Sequence, residues 1–289
     1  MTATTQGVDA AEGRARVRTS RPPRRLPPPG LVVSLAVLAT ALAWAFVPEV
    51  FAPYPPNEAV PSDRLAPPSG QHWFGTDYLG RDLYSRTVHA ASLSLVATGI
   101  AVAIAVVVGT VLGVVAGYAG GLVDVAISRT VDVLLAIPGL LLSLAIVAAL
   151  GFGTINVAIA VGIGAVASFA RVTRSAVLRI RHSDYIEAAS GSGLSGVRIL
   201  LRHVLPNSWG PVVALAVIEF GAAILAVSAL SFLGYGAQPP TPEWGSLIAE
   251  GRDHIQTSWW LITLPGLVVV AVVLATNRVS AALGKDDDR

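Results

Sequence analysis

Between Asp132 and Arg171 the chain carries no charged side chain, an uncharged run of 38 residues from position 133 to position 170. At about 1.5 Å per residue, one helix of that length would measure about 57 Å, nearly twice the ~30 Å hydrocarbon core of a bilayer. A run this apolar does not stay in water, and a run this long does not cross lipid once. It must fold back on itself. The stretch "GFGTIN" at 151–156 is the turn-forming segment inside it. The run therefore predicts two spans, one near 125–150 with Pro138 as a kink and one near 155–173.

The rest of the chain supports a polytopic membrane protein. Charged residues make up 13% of it, about half the share of a soluble domain. Positions 31–47 form an uncharged run just long enough to cross with little tilt, read as a retained first helix; "ALA" at 41–43 leaves a cleaved signal peptide as the rival reading. A further span is read from Ala91 to Gly117, where Gly109, Gly113 and Gly117 make a flat stripe for close helix approach, inside one subunit or between two. Ser208–Leu233 and Ser258–Thr276 complete six spans, with Trp259 and Trp260 as interfacial anchors. The expected fold is all-α, divided into a basic tail (1–30), a first helix (31–47), an outer loop (48–90) and a five-helix core (91–278). Inside the core lie a polar loop at 174–207 and an outer loop at 234–257; positions 279–289 are a second tail.

Arginine placement sets the orientation. With both termini in the cytoplasm, that side holds sixteen of the twenty basic residues, and Arg64, Arg81, Arg86 and Arg252 lie outside. The formal net charge of +2 gives no support to nucleic-acid binding. There are no cysteines, which excludes disulfides and thiol catalysis, and the five histidines lack ligand-like spacing. The one lysine is Lys285. A phosphate-binding loop needs a lysine after its glycines, so a nucleotide used by this system is bound by another chain.

The polar loop interrupts an otherwise apolar chain with "SDYIEAASGSGLSGVRILLRHVLPN" (183–207). It reads as two short helices. Asp184 with Glu187 fits a capping box for the first, Gly191 and Gly193 end it, and Ser195 caps the second. Ala188 and Ala189 give the first helix a low profile suited to a cleft on another protein, while basic residues at lipid headgroups are the competing reading.

"EAASGSGLSGVRILLRHVLP" resembles the EAA loop of ABC-importer permeases. "HWFGTDYLGRDLYSR" (72–86), "GYAGGLVDVAISRTVDVLLAIPGLLL" (117–142) and "ALSFLGYGAQPPTPEWGSLIAEGR" (229–252) resemble segments of the C-type permeases of dipeptide, oligopeptide and nickel importers. The similarity covers about residues 31–278. It departs at Ala90, Ser92 and Val227 and in the tail after Asn277. The resemblance implies that Tyr185, Glu187, Ala188, Ala189, Gly193, Leu205 and Pro206 couple the chain to a cytoplasmic ATPase. It also implies a second permease, two ATPase subunits or domains that bind the ATP–Mg, an extracytoplasmic solute-binding protein, and no cofactor in this chain. The substrate class implied is di- and oligopeptides, with nickel or another small solute as the alternative.

Charge inside a span is costly and points to function. Arg129 and Asp132, three positions apart, are expected to pair near the cytoplasmic end of their helix, in a structural or a gating role. Glu219, inside the fifth span, either lines a water-filled pathway or pairs within the bundle. Asp77, Arg81, Asp82 and Arg86 form either a surface for the binding protein or a local ion-pair network. An ion-coupled secondary transporter is the rival function. It fits less well, because Glu219 is nearly the sole acid away from helix ends and no internal repeat is visible. A membrane hydrolase lacks paired acids, metal ligands and a G-x-S-x-G elbow.

Overall fold

The computed structural model describes residues 29–284, with the side chains at 187–190 and 283–284 excepted. The basic tail at 1–28 and the tail from Lys285 onward lie outside the described residues. Among the described residues every regular element is a helix. Five helices are long and apolar enough to cross a membrane, and a bent pair makes up the sixth crossing.

Helix α1 (Pro29–Phe46) opens on a proline, which fits a first helical turn because its missing N–H has no partner there anyway. It buries only Ser34 and Ala41; Val33 and Phe46 face outward, as a lipid-facing helix requires. Helix α2 (Leu83–Ala119) is 37 residues long and starts eight positions before the expected Ala91. Its N-cap is Asp82, whose carboxylate accepts from the Ser85 N–H at 2.7 Å. The charge of Arg86 does not end the helix, because its guanidinium is neutralised inside the protein (below). The glycine stripe packs within the chain. A Cβ at Gly113 would fall 2.6 Å from the Ala170 carbonyl oxygen, and one at Gly117 would fall 2.9 Å from Val177 Cγ1. Both neighbours lie on helix α5 (Thr154–Arg181). Because lipid tails are as apolar as side chains, packing contacts of this kind hold the helices together.

The third crossing is broken rather than kinked. Helix α3 (Gly121–Ala136) and helix α4 (Gly139–Leu150) meet at 96°. Pro138 lacks an N–H and holds Ile137 extended at φ −89°, ψ 129°. Neither half, at 16 and 12 residues, reaches across a bilayer as a helix. Helix α5 runs eight residues past the expected end of the fourth span, so Arg171, Arg174, Arg179 and Arg181 sit on the helix itself.

The arginine-rich end then carries helix α6 (Asp184–Gly191) and helix α7 (Gly196–Ile199). Asp184 is the first residue of α6 rather than its cap. A π-helical stretch, Leu200–Val204, and one turn, Leu205–Asn207, follow. Pro206 removes a backbone donor there, which fits the widened turn before it. Helix α8 (Trp209–Phe232) spans close to the expected limits. At the opposite end, helix α9 (Trp244–Glu250) precedes helix α10 (Trp260–Gly284), which continues past Asn277 and Arg278. Trp260 is not an interfacial anchor. It is buried beside Leu83, and its indole N–H donates to the Thr76 carbonyl at 3.3 Å; Trp259 is the exposed one.

The two largest buried clusters each join several helices. Ala97, Ala101, Val147, Val157 and Leu230 join α2, α4, α5 and α8. Ala41, Ala90, Ile224, Trp244 and Val272 join α1, α2, α8, α9 and α10.

Candidate functional site

Three places carry the polar chemistry. At the arginine-rich end, α6 and α7 are pinned to the bundle. Ile186, Ile199 and Val204 are buried with Val177 of α5. The Tyr118 hydroxyl donates to the Gly196 carbonyl at 2.5 Å, and Arg181 donates to the Tyr118 carbonyl at 2.9 Å. Gly193 turns the chain between the two helices at φ +79°, a conformation that a side chain disfavours. The outer surface of this loop is apolar and basic together. Tyr185, Val197 and Leu201 are exposed, the last two by 67% and 60%, and Arg198 and Arg202 stand exposed beside them. Leu205 is half-buried and Pro206 exposed. Glu187, Ala188 and Ala189 lie on α6; their side chains are outside the described residues.

The expected Arg129–Asp132 pair does not form. Asp132 instead accepts from Arg171 of α5 at 2.8 Å, with both side chains more than half exposed. One turn along, Arg174 donates to Asp124 at 2.7 Å. Arg129 is exposed. The facing helix, not the same helix, supplies the partner, and α3 is thereby tied to α5 just before its break.

Between α4, α5 and α8 lies an open groove of about 690 Å³. Glu219 lines it, with Ser143, Ser168 and a row of alanines.

The opposite end holds a buried ion network. Arg81 donates to Asp77 at 2.6 Å and to Glu250 at 2.9 Å. Arg86, with no exposed side chain, donates to both Glu250 oxygens at 3.0 and 3.1 Å. Asp82 stands apart from this set, capping α2 and facing His72 Nδ1 at 2.8 Å. Asp77, Arg81, Asp82 and Arg86 are all buried in the chain. Burial pushes the Glu250 carboxyl up, while Arg86 and Arg81 draw it back down.

A family model described as binding-protein-dependent transport system inner membrane component matches residues 109–286. The chain belongs to that family. A dipeptide transport system permease protein of Alkalihalophilus pseudofirmus is 42% identical over 252 residues, covering 87% of this chain and 83% of the relative. A glutathione transport system permease protein of Shigella flexneri is 43% identical over 253 residues, covering 87% and 82%. Among solved structures, an inward-facing methionine ABC transporter matches with a TM-score of 0.54 at 18% identity, over 68% of this chain and 96% of that one. An amino acid ABC transporter matches with 0.54 at 15% identity, over 70% and 94%. At those identities the likeness is one of fold.

This inner-membrane component also uses two acids that the sequence reading did not single out. Glu250 completes the ion network. Glu243 is fully buried, accepts from the Ser94 hydroxyl at 3.0 Å and caps α9 through the Ser246 N–H at 3.0 Å. Burial raises its pKa, opposed by the hydrogen bonds from Ser246 and Ser94. The spacing E-x-x-S at Glu243 reverses the usual capping order of Ser, Thr, Asp or Asn followed by Glu, so this cap carried no standard signal. For Glu250 no local signal exists, since its partners lie 164 and 169 positions away.

Proposed function

We propose that this chain is the pathway-forming permease subunit of an ATP-driven importer of di- and oligopeptides, seated in the plasma membrane of a prokaryote with both termini cytoplasmic. It pairs with a second permease, with two ATPase subunits or domains that bind ATP–Mg, and with an extracytoplasmic solute-binding protein; the chain itself is not catalytic. The observation that carries the reading is the loop of α6 and α7. It presents exposed Tyr185, Val197 and Leu201 outward, while Ile186 and Ile199 lock it to α5 from beneath. A partner that grips the outer face moves α5, and α5 carries α2 through the glycine stripe and α3 through Arg171–Asp132 and Arg174–Asp124. Two arrangements of the helices biased by the ATPase cycle give alternating access. The peptide class is supported by the names of the relatives, a dipeptide permease and a glutathione permease.

The test is reconstitution of the chain with its permease, ATPase and binding-protein partners in proteoliposomes, followed by ATP-dependent uptake of labelled dipeptides. Gly193→Pro and Glu187→Lys are expected to insert normally and to lose uptake while ATP hydrolysis continues. Normal uptake in both variants would remove the coupling assignment. Vigorous uptake by the purified chain alone would favour an ion-coupled transporter instead.

A further inference from the structure

We propose that the Glu219 carboxylate makes the groove between α4, α5 and α8 a cation-attracting water path, which draws the ammonium group of a passing solute; this rests on the permease reading. Glu219 is the sole charged residue among the 24 of α8. It stands ten residues from Trp209 and thirteen from Phe232, or about 15 and 20 Å along the axis, and so near mid-bilayer. No ion pair or hydrogen bond engages it among the described residues. A carboxylate at that depth is costly against hydrocarbon, and it persists where it meets water or a cation.

The groove provides that setting. Glu219, Ala222, Ala226 and Ala229 line it from α8 at spacings that keep them on one helical face. The alanines leave room where larger side chains would close the space. From α5 the groove receives Ser168, and the Ser143 hydroxyl of α4 donates to Gly139 beside it. Its lining contains no cation to answer Glu219. A cleft of one sign with low-dielectric walls concentrates ions of the other sign by tenfold or more. A peptide in its usual zwitterionic state carries an ammonium group, so the field acts on the solute class proposed above and favours peptides with a basic side chain.

The natural chain contains no cysteine, so a single thiol reports on the groove directly. Ala222→Cys, and separately Ala226→Cys one turn away, are made in the assembled complex. Each is treated with a trimethylammonium and with a sulfonate methanethiosulfonate reagent, with rates normalised to a free thiol. Modification of this chain is read by mass. The cationic reagent is expected to react about tenfold faster than the anionic one, and Glu219→Gln is expected to abolish that ratio. Failure of both reagents at both positions would show a dry groove and overturn the proposal. An unchanged ratio in Glu219→Gln would overturn it too, as it would if a basic residue of a partner neutralised the acid. Labelling requires no transport, so a complex that shows the tenfold ratio but takes up no peptide sinks the peptide reading and leaves the groove assignment standing.

Discussion

Arg86 and Glu250 are 164 positions apart in sequence, yet the guanidinium reaches both carboxylate oxygens at 3.0 and 3.1 Å with no exposed side-chain surface on the arginine. This pair, with Arg81 and Asp77, joins the start of α2 to α9 and so fixes that end of the bundle. Glu250→Ala leaves two buried guanidinium groups with Asp77 as their remaining acid. The expected loss is about 3–5 kcal/mol, the cost of breaking a buried pair from one side. Asp132→Ala removes an exposed pair and is expected to cost less than about 1 kcal/mol. Thermal unfolding of the two purified variants, compared side by side in one detergent, checks the contrast.

Glu243 predicts a pH dependence with a definite sign. Its folded pKa is raised by burial, so the fold prefers the protonated acid. That contribution is fully present below the unfolded Glu value, near 4.3, and is lost as pH rises through the folded value. One proton sets a ceiling of about 1.4 kcal/mol per pH unit on the slope. Glu243→Gln keeps an acceptor for Ser94 or Ser246 without the charge. The variant is expected to show a flatter fall in melting temperature on the alkaline side, measured as a pH series from 5 to 9.

Gly113 permits a close approach of α2 to α5. An added Cβ would meet the Ala170 carbonyl oxygen at 2.6 Å and Thr173 Cβ at 2.6 Å, and the first of these is backbone that cannot rotate away. Gly113→Ala is expected to destabilise by about 1–3 kcal/mol, as overpacking does. Gly99, which has open space within 4 Å, is the control position. Gly99→Ala is expected to be neutral or slightly stabilising in the same melt, since alanine favours helix over glycine.

The exposed face of the α6–α7 loop should bear on a partner rather than on folding. Val197→Asp with Leu201→Asp places charge on two side chains that are already 67% and 60% exposed. Membrane insertion is expected to be unchanged and stability to stay within about 0.5 kcal/mol of the natural chain, read from the melt. Co-purification of the ATPase is expected to fall at least tenfold. Retention of the ATPase at natural levels would move the docking surface elsewhere.

Much of this architecture was readable along the chain. The uncharged run from 133 to 170 demanded a reversal, and the structure turns at Gly151–Gly153, where both glycines have positive φ. The limits of α8 followed from hydropathy, and the stripe at Gly109, Gly113 and Gly117 marked a close helix contact. Those features are local: a helix closes its hydrogen bonds four residues back, and a span is a matter of length and polarity. Other readings failed because they needed a partner from elsewhere. Arg86 falls in the outer loop when the span is drawn from Ala91; Glu250, far along the chain, is what allows it in the helix. Asp132 was given Arg129 as its nearest opposite charge, and the packing of α3 on α5 supplied Arg171 instead. Pro138 signalled a disturbance, but whether a proline bends a helix or breaks it depends on what receives the two halves. Here Asp124 and Asp132 hold α3 to α5, and α4 leaves at 96°.

By itself, then, the sequence determined that this chain carries apolar length for about six membrane crossings, that its arginine-rich loop lies at one end, and that it holds no G-x-x-x-x-G-K-[ST] loop. Only the tertiary structure decided which charges are neutralised inside the protein and which acid, Glu219, is left facing an open groove. Apolar length acts residue by residue against lipid and is written in order along the chain. Electrostatic pairing acts through space, and its outcome depends on the helices that packing brings within about 3 Å.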